Sequence, residues 1–444
     1  MNDLNFDNLL LNLLNLSSND VTAISSSNVN GVAHLSVTLS HPSDPTCPVC
    51  GSSQMKSLGY YIKNIKLAND AFRNHLVSVR VPRRKCLKCG TSTSFTKGMN
   101  PHNSTISYDI VLKIMHLLQN PEITFTRCAE LTGVSESTVV RTFDKHCHIS
   151  RNTFPEALCI DEVYTKLTDH KEGNRFSKFS CVFYDFYNHQ LIDILPSRTK
   201  SHLHHYFQSV STSERAGVKY VVIDMYKPYS DIIRIYFKRA VICVDSFHVI
   251  KHLNDSLSKL RIRIMKSYDS SSLEYYLLKK WNFLLFDRHI DLDNKGKMNH
   301  KIGYIVNRRQ IRELILDIDP VLKTAWELKE LYSDFNISSS YDQAKIDLPQ
   351  LIQKFFAADI PEYREFASTL NNWRNEIINS FILYKGRRLN NGVAESLNSR
   401  ISLLLFNTKG MRSSERRRKR ILYAINRSGF SIDYSGHNFT TVPE

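Results

Sequence analysis

Ala157-Leu-Cys-Ile-Asp-Glu-Val-Tyr164 and Val218-Lys-Tyr-Val-Val-Ile-Asp224 are the two stretches that decide the fold. Both are short apolar runs rich in β-branched residues, the pattern of strands covered on both faces. Phe179–Phe186 and Gln190–Leu195 read as strands between them, and Ala240-Val-Ile-Cys-Val-Asp245 reads as a fifth. A polar helix is expected over Ser201–Glu214 and another from Pro228 to Phe237.

Three strands in succession, then helix and strand in alternation, fit an RNase H-like mixed sheet. In that topology the first and fourth strands are neighbours, so Asp161 within the first and Asp224 at the end of the fourth would converge. Converging carboxylates supply the hard oxygen ligands that Mg2+ (or Mn2+) takes, and two such ions serve phosphoryl transfer. An acid at a strand end also serves as a helix cap or turn residue, so neither aspartate decides the matter alone.

A third carboxylate is expected from a helix. In Asn390-Asn-Gly-Val-Ala-Glu-Ser-Leu-Asn-Ser-Arg-Ile401, Glu395, Asn398 and Ser402 share one helical face, with Asn391 as its cap. A solvated face would give the same stripe. The 171 positions from Asp224 to Glu395 exceed what a bare sheet domain needs. Helical periodicity over Leu253–Lys266, Leu273–Leu285, Val321–Tyr332 and Leu348–Phe356 predicts an α-helical insertion over 252–388, with Trp281, Trp326 and Trp373 as core anchors.

The 444 residues are 42% hydrophobic and 23% charged, which suits a multidomain globular chain rather than a disordered one. Lys and Arg number 59 against 43 Asp and Glu, a net charge of +16 that favours a polyanionic partner. No apolar run approaches the ~18 residues of a membrane span. No Lys or Arg precedes Lys56, so no signal-peptide n-region is expected, and a cytoplasmic location, on the nucleoid when DNA-bound, is the expectation. In that compartment nine cysteines read as free or metal-bound thiols.

Cys47-Pro-Val-Cys50 and Cys86-Leu-Lys-Cys89 form two such pairs. Each can close a tight knuckle, with Gly51 and Gly90 supplying the chain reversal. Four thiolates suit structural Zn2+. The alternating His75-Leu-Val-Ser-Val-Arg-Val81 between the pairs predicts a strand, and with it a zinc-ribbon β domain. Residues 56–88 carry nine Lys or Arg and one acid, so phosphate contact is expected, with Arg83, Arg84 and Lys85 as candidates.

Thr124–Phe143 reads as a helix-turn-helix, with Ala129 at the helix approach, Gly133 in the turn and Ser135 capping the second helix. That helix would offer Ser137, Thr138 and Arg141 to a major groove. A second basic block, residues 400–427, holds nine Lys or Arg and one acid. Its Arg416, Arg417, Arg418, Lys419 and Arg420 are expected on the DNA backbone.

Taken together, the paired cysteine knuckles, the helix-turn-helix, Ile160-Asp-Glu162, Val222-Ile-Asp-Met-Tyr-Lys-Pro-Tyr229, Val244-Asp-Ser-Phe-His-Val-Ile250 and Asn391-Gly-Val-Ala-Glu-Ser-Leu-Asn398 give the chain a strong likeness. It resembles bacterial insertion-sequence transposases of the ISL-three family over nearly its whole length. The resemblance implies a DDE transposase with Asp161, Asp224 and Glu395 at the catalytic, Mg2+-holding positions. Asp245 and His248 match the family's Asp-x-x-His element and are expected to support the site, as is Asn398, without binding metal. The implied partners are double-stranded DNA, as terminal inverted repeats and as target, and further copies of the chain in a synaptic homodimer or higher oligomer. The implied reaction is strand cleavage followed by strand transfer.

The expected architecture is an α/β multidomain chain. It comprises a ribbon domain (1–98), a helix-turn-helix (104–150), the first part of the RNase H-like domain (155–251), the insertion (252–388), the Glu395 helix with a basic segment (389–430) and a tail (431–444). An inert DNA-binding regulator, or a nuclease that cuts without joining, would share most of these features.

Overall fold

The computed structural model describes residues 11–12, 14–29, 32–43, 45–70, 73–94, 100, 104–149, 151–164, 179–407, 411, 413–428 and 440–441. Arg412 and most of the expected tail therefore lie outside the described residues. The chain divides into two compact units, one formed by Met1–Ser150 with Arg400–Glu444 and the other by Arg151–Ser399. Among the described residues no helix is long and apolar enough to cross a membrane.

The first unit holds a mixed sheet built from β1 (Val21–Val29), β2 (Val32–Leu39), β3 (Met55–Asp70), β4 (Arg73–Cys86) and β5 (Ser92–Ser94). The order is β1-β2-β4-β5, and β3 pairs with β4 as a long antiparallel hairpin. Val77, Val79 and Val81 alternate inward along β4, as the period-two pattern predicts, and pack with Val37, Leu39 and Ile65. The register slips between Ser57 and Tyr60, where Gly59 takes φ 76° and bulges the strand. The short strand Thr440–Thr441 adds to the edge beside β5.

Three helices follow: α1 (Tyr108–Leu117), α2 (Phe125–Thr132) and α3 (Glu136–His146). Thr124 caps α2 and Ser135 caps α3, each through its side-chain oxygen. Gly133 turns the chain between them at φ 68°. Ile110, Ile114, Cys128, Ala129, Val139 and Phe143 form their core. A C-terminal helix, Ser414–Ile425, joins this core through Tyr423, whose hydroxyl donates to the Met115 carbonyl at 2.9 Å.

The second unit is built on β6 (Ala157–Tyr164), β7 (Phe179–Asp185), β8 (Leu191–Leu195), β9 (Tyr220–Ile223) and β10 (Val241–Val244). The order is β10-β9-β6-β7-β8: β6, β7 and β8 run antiparallel, while β9 and β10 lie parallel to β6. Helices α4 (Lys200–Ser209), α5 (Thr212–Ala216) and α6 (Lys227–Tyr236) fall between the strands in sequence, and α7 (Ser246–Met265) leaves β10 directly.

Beyond α7 come α8 (Leu273–Lys280), the hairpin β11 (Lys297–Asn299) and β12 (Tyr304–Val306), α9 (Arg308–Leu316), α10 (Pro320–Ser338), α11 (Tyr341–Ala357), α12 (Pro361–Asn372) and α13 (Arg374–Asn379). These helices share one continuous apolar core with the sheet, so the stretch between the aspartates and Glu395 is built into the unit. Trp373 is buried in that core, and Trp281 and Trp326 pack against it. The chain then returns to β6 through α14 (Gly392–Asn407).

Candidate active site

The strand registers align three acids. Val222 on β9 lies opposite Cys159 on β6 and Cys243 on β10. Two positions further along each chain stand Asp224, Asp161 and Asp245. They therefore form a row where β9 and β10 end and β6 runs on past them, the edge at which α/β folds gather ligands.

Burial pushes the Asp161 carboxyl up to about 6, and the neighbouring charges of Asp224 and Asp245 add to the shift. Asp224 also rises to about 6, from burial first and then from the charge of Glu162. Burial likewise raises Asp245, against the Asn391 N–H, which donates to its Oδ1 at 3.2 Å. Asp245 also caps α7, accepting from the Phe247 N–H. His248, one turn into that helix, has its Nε2 3.9 Å from Asp245 Oδ2, where a positive charge on the ring favours the ionised form of all three aspartates. No described ion pair joins a Lys or Arg to Asp161 or Asp224.

Helix α14 reaches this row through Asn398. Its Nδ2 donates to Asp161 Oδ2 at 2.8 Å and to the Glu162 carbonyl at 3.3 Å, while its Oδ1 accepts from the Tyr184 hydroxyl. Glu395, three positions earlier on the same helical face, is exposed. Buried Asn391 fixes the start of the helix, its Nδ2 donating to the Ile160 carbonyl at 3.3 Å.

Sequence reasoning missed the groups behind the row. The carboxylate of Glu162, next to Asp161, accepts from Arg198 and from the Tyr229 hydroxyl, the latter at 3.0 Å. The Arg198 guanidinium lies over the rings of Phe179 and Tyr226, 4.8 Å from each. Glu162 stood within a motif, but nothing near Arg198 in the sequence marks it.

At the base of the β3–β4 hairpin the two cysteine knuckles repeat one geometry. Gly51 N–H donates to the Cys47 carbonyl and Gly90 N–H to that of Cys86; both glycines take positive φ. Cys47 and Cys89 sulfurs are 3.5 Å apart, and those of Cys50 and Cys86 are 3.6 Å apart. Tetrahedral Zn–S bonds of ~2.3 Å place sulfurs ~3.8 Å apart, so this set fits zinc. Among the described residues the four cysteines are the one set of three or more such side chains whose ligand atoms all lie within 4.8 Å of one another. Asp161, Asp224 and Glu395 do not close to that distance. A pair of ions ~4 Å apart is spanned by carboxylates set wider than that.

The DNA-contact candidates divide. Ser137 and Arg141 are exposed on α3 and Thr138 is half-buried; Arg83, Arg84 and Lys85 are half-buried on β4. Arg416 grips Asp144 of α3 with two nitrogens, Lys419 pairs with Glu415 at 3.0 Å, and Arg417 donates to the Met411 carbonyl. Arg418 is half-buried.

Arg420 corrects the sequence expectation. It is fully buried and donates to the carbonyls of Leu118, Asn120 and Ile123, closing the end of α1 rather than facing DNA. A run of five basic residues does not disclose which of them a helix turns inward.

A mixed sheet with a row of acids at its parallel edge, together with a four-cysteine centre, describes a metal-using α/β protein. The chain matches the family model of the ISL3-type DDE transposases, described as a transposase, over residues 158–421, and it belongs to that family. It is therefore a transposase, an enzyme acting on DNA. No curated protein matches it.

Proposed function

We propose that this transposase cuts and joins DNA at a DDE site formed by Asp161, Asp224 and Glu395, in an RNase H-like domain. The observation that carries the reading is the register-matched acid row, with the Glu395–Asn398 face of α14 anchored to it through Asn398. The donor set suits Mg2+ or Mn2+: it is all carboxylate oxygen, no described ion pair joins a Lys or Arg to Asp161 or Asp224, and burial first, then neighbouring acids, raises those two aspartates to about 6. A divalent ion held by these acids would supply Lewis-acid activation of an attacking oxygen and charge relief at a leaving oxygen.

The protein's own groups do the positioning. Asn398 fixes the Asp161 carboxylate, Asp245 and Asn391 tie α7 and α14 to the strand ends, and His248 offsets the crowded negative charge. The turn after Asp224 is held by its own carboxylate, which accepts the Tyr226 N–H at 3.1 Å.

In the first unit, the four-cysteine centre would hold Zn2+ and stiffen the base of the hairpin. The helix-turn-helix formed by α2 and α3 would read terminal inverted repeats through Ser137, Thr138 and Arg141. Arg83, Arg84, Lys85, Arg416, Arg417, Arg418 and Lys419 would supply phosphate contacts. Pairing of two element ends calls for a homodimer or larger assembly.

The test is an assay with an element end and a target plasmid in Mg2+. Cleaved ends joined to the plasmid are expected. Cleavage without joining would mark a nuclease, and binding without cleavage an inert regulator.

A further inference from the structure

Residues 294–312, Asn294-Lys-Gly-Lys-Met-Asn-His-Lys-Ile-Gly-Tyr-Ile-Val-Asn-Arg-Arg-Gln-Ile-Arg312, contain six Lys or Arg and no acid. The β11–β12 hairpin opens this stretch, and its own contacts fix its shape. At the turn, Asn299 Oδ1 accepts from the N–H groups of Lys301 and Ile302, and its carbonyl accepts from Gly303 at 2.8 Å. Gly303 takes φ 92°, which side-chain-bearing residues rarely adopt. At the base, a Cβ on Gly296 would come within 2.9 Å of Ile305 Cγ2.

One face of the ribbon points inward, with Asn299 and Val306 buried. On the other face Met298 and Ile305 are cross-strand partners, 52% and 65% exposed; Tyr304, the cross-strand partner of Asn299 beside the turn, is 53% exposed at the ribbon's end. Lys295, Lys297, His300 and Lys301 are exposed on the same short hairpin, and no described ion pair takes them up. The arginines that follow are engaged: Arg309 pairs with Asp293, Arg308 donates to the Asp291 carbonyl, and Arg312 lies over the Trp326 ring.

Unpaired lysines flanking exposed apolar side chains on a rigid two-stranded ribbon fit a polyanion with stackable apolar surfaces. A two-stranded ribbon enters a DNA groove, lysines meet phosphates, and apolar or aromatic side chains wedge against bases. Three lysines that no described ion pair takes up favour a polyanion over a second copy of the same basic ribbon.

We propose that the β11–β12 hairpin is a second DNA-contact surface, with Lys295, Lys297 and Lys301 on phosphates, Met298 and Ile305 against the bases and Tyr304 at the edge of the contact beside the turn. The proposal rests on the transposase reading and adds to it a contact in the unit that carries the acid row.

The test uses the full chain with a photo-crosslinking amino acid at Tyr304, at Ser137 on α3, or at exposed Ile346 on α11, and a short labelled duplex of random sequence. Cross-links to DNA are expected at 304 and 137 and not at 346. The Lys295→Ala, Lys297→Ala, Lys301→Ala variant should lose the 304 cross-link. It should lower the slope of log affinity against log salt by about 2–3 and leave the melting temperature unchanged. A cross-link at 137 without one at 304 overturns the proposal, as does capture of a second protein chain at 304. Failure at both 304 and 137 overturns the DNA-binding assignment beneath it.

Discussion

Asn398 Nδ2 donates to Asp161 Oδ2 at 2.8 Å across 237 residues of sequence, and this bond orients the strand acid from the helix that carries Glu395. Tyr184, on the neighbouring strand, orients the amide in turn by donating to its oxygen. Groups that orient metal-binding carboxylates matter nearly as much as the carboxylates themselves. Asn398→Ala is expected to lower strand cleavage about 10–100-fold with DNA affinity unchanged. Tyr184→Phe should give a smaller loss in the same direction. Parallel cleavage and gel-shift assays check both.

The acid row sets a pH dependence of stability in metal-free protein. Asp161 and Asp224 take up protons near pH 6 when folded and near ~4 when unfolded. The folded state therefore binds more protons between those values, and stability falls as pH rises from ~4 to about 6, then levels off. Asp161→Asn or Asp224→Asn should stabilise the chelated protein by about 1–2 kcal/mol at pH 7 and by almost nothing at pH 4. Thermal melts of each variant in EDTA at the two pH values provide the check.

The four-cysteine centre predicts one zinc per chain. Cys86→Ser, which removes a buried ligand at the end of β4, should abolish zinc retention and loosen the hairpin base. Chelation of the wild-type protein should do the same and weaken DNA binding. Elemental analysis together with limited proteolysis between residues 45 and 90 measures the effect.

Arg420 tests the reassigned role of the C-terminal helix. Its removal strands three carbonyls, the Leu118 one buried, and empties a fully buried site, so Arg420→Ala should cost about 3 kcal/mol. Arg141→Ala, at an exposed position on α3, should by contrast leave the melting temperature nearly unchanged, weaken DNA binding most at low salt and lower the salt slope of log affinity by about 1. Differential scanning calorimetry of the two variants separates structural from DNA-facing arginines.

Much of the second unit was legible because its strands are continuous apolar runs punctuated by acids at matching offsets. The cysteine knuckles and the Ser135 cap could be read from short-range chemistry alone. Other features could not. β1 is rich in serine, and its pairing with β2 shows only once the sheet is assembled. The inward turn of Arg420 depends on carbonyls some 300 positions away. Arg198 gains its role from aromatic rings and a carboxylate brought by three other segments. The Asp245 alignment lay in the sequence as an offset equal to that of Asp161 and Asp224, but it carries meaning only with the strand registers known.

The most direct test is the rate of Mg2+-dependent cleavage at an element end by Asp161→Asn, Asp224→Asn and Glu395→Gln, each with its DNA affinity measured alongside. The DDE assignment predicts a loss of about 1,000-fold or more in each variant, some 4 kcal/mol of transition-state stabilisation, with binding intact. Cleavage within a few-fold of wild type in any of the three would contradict it.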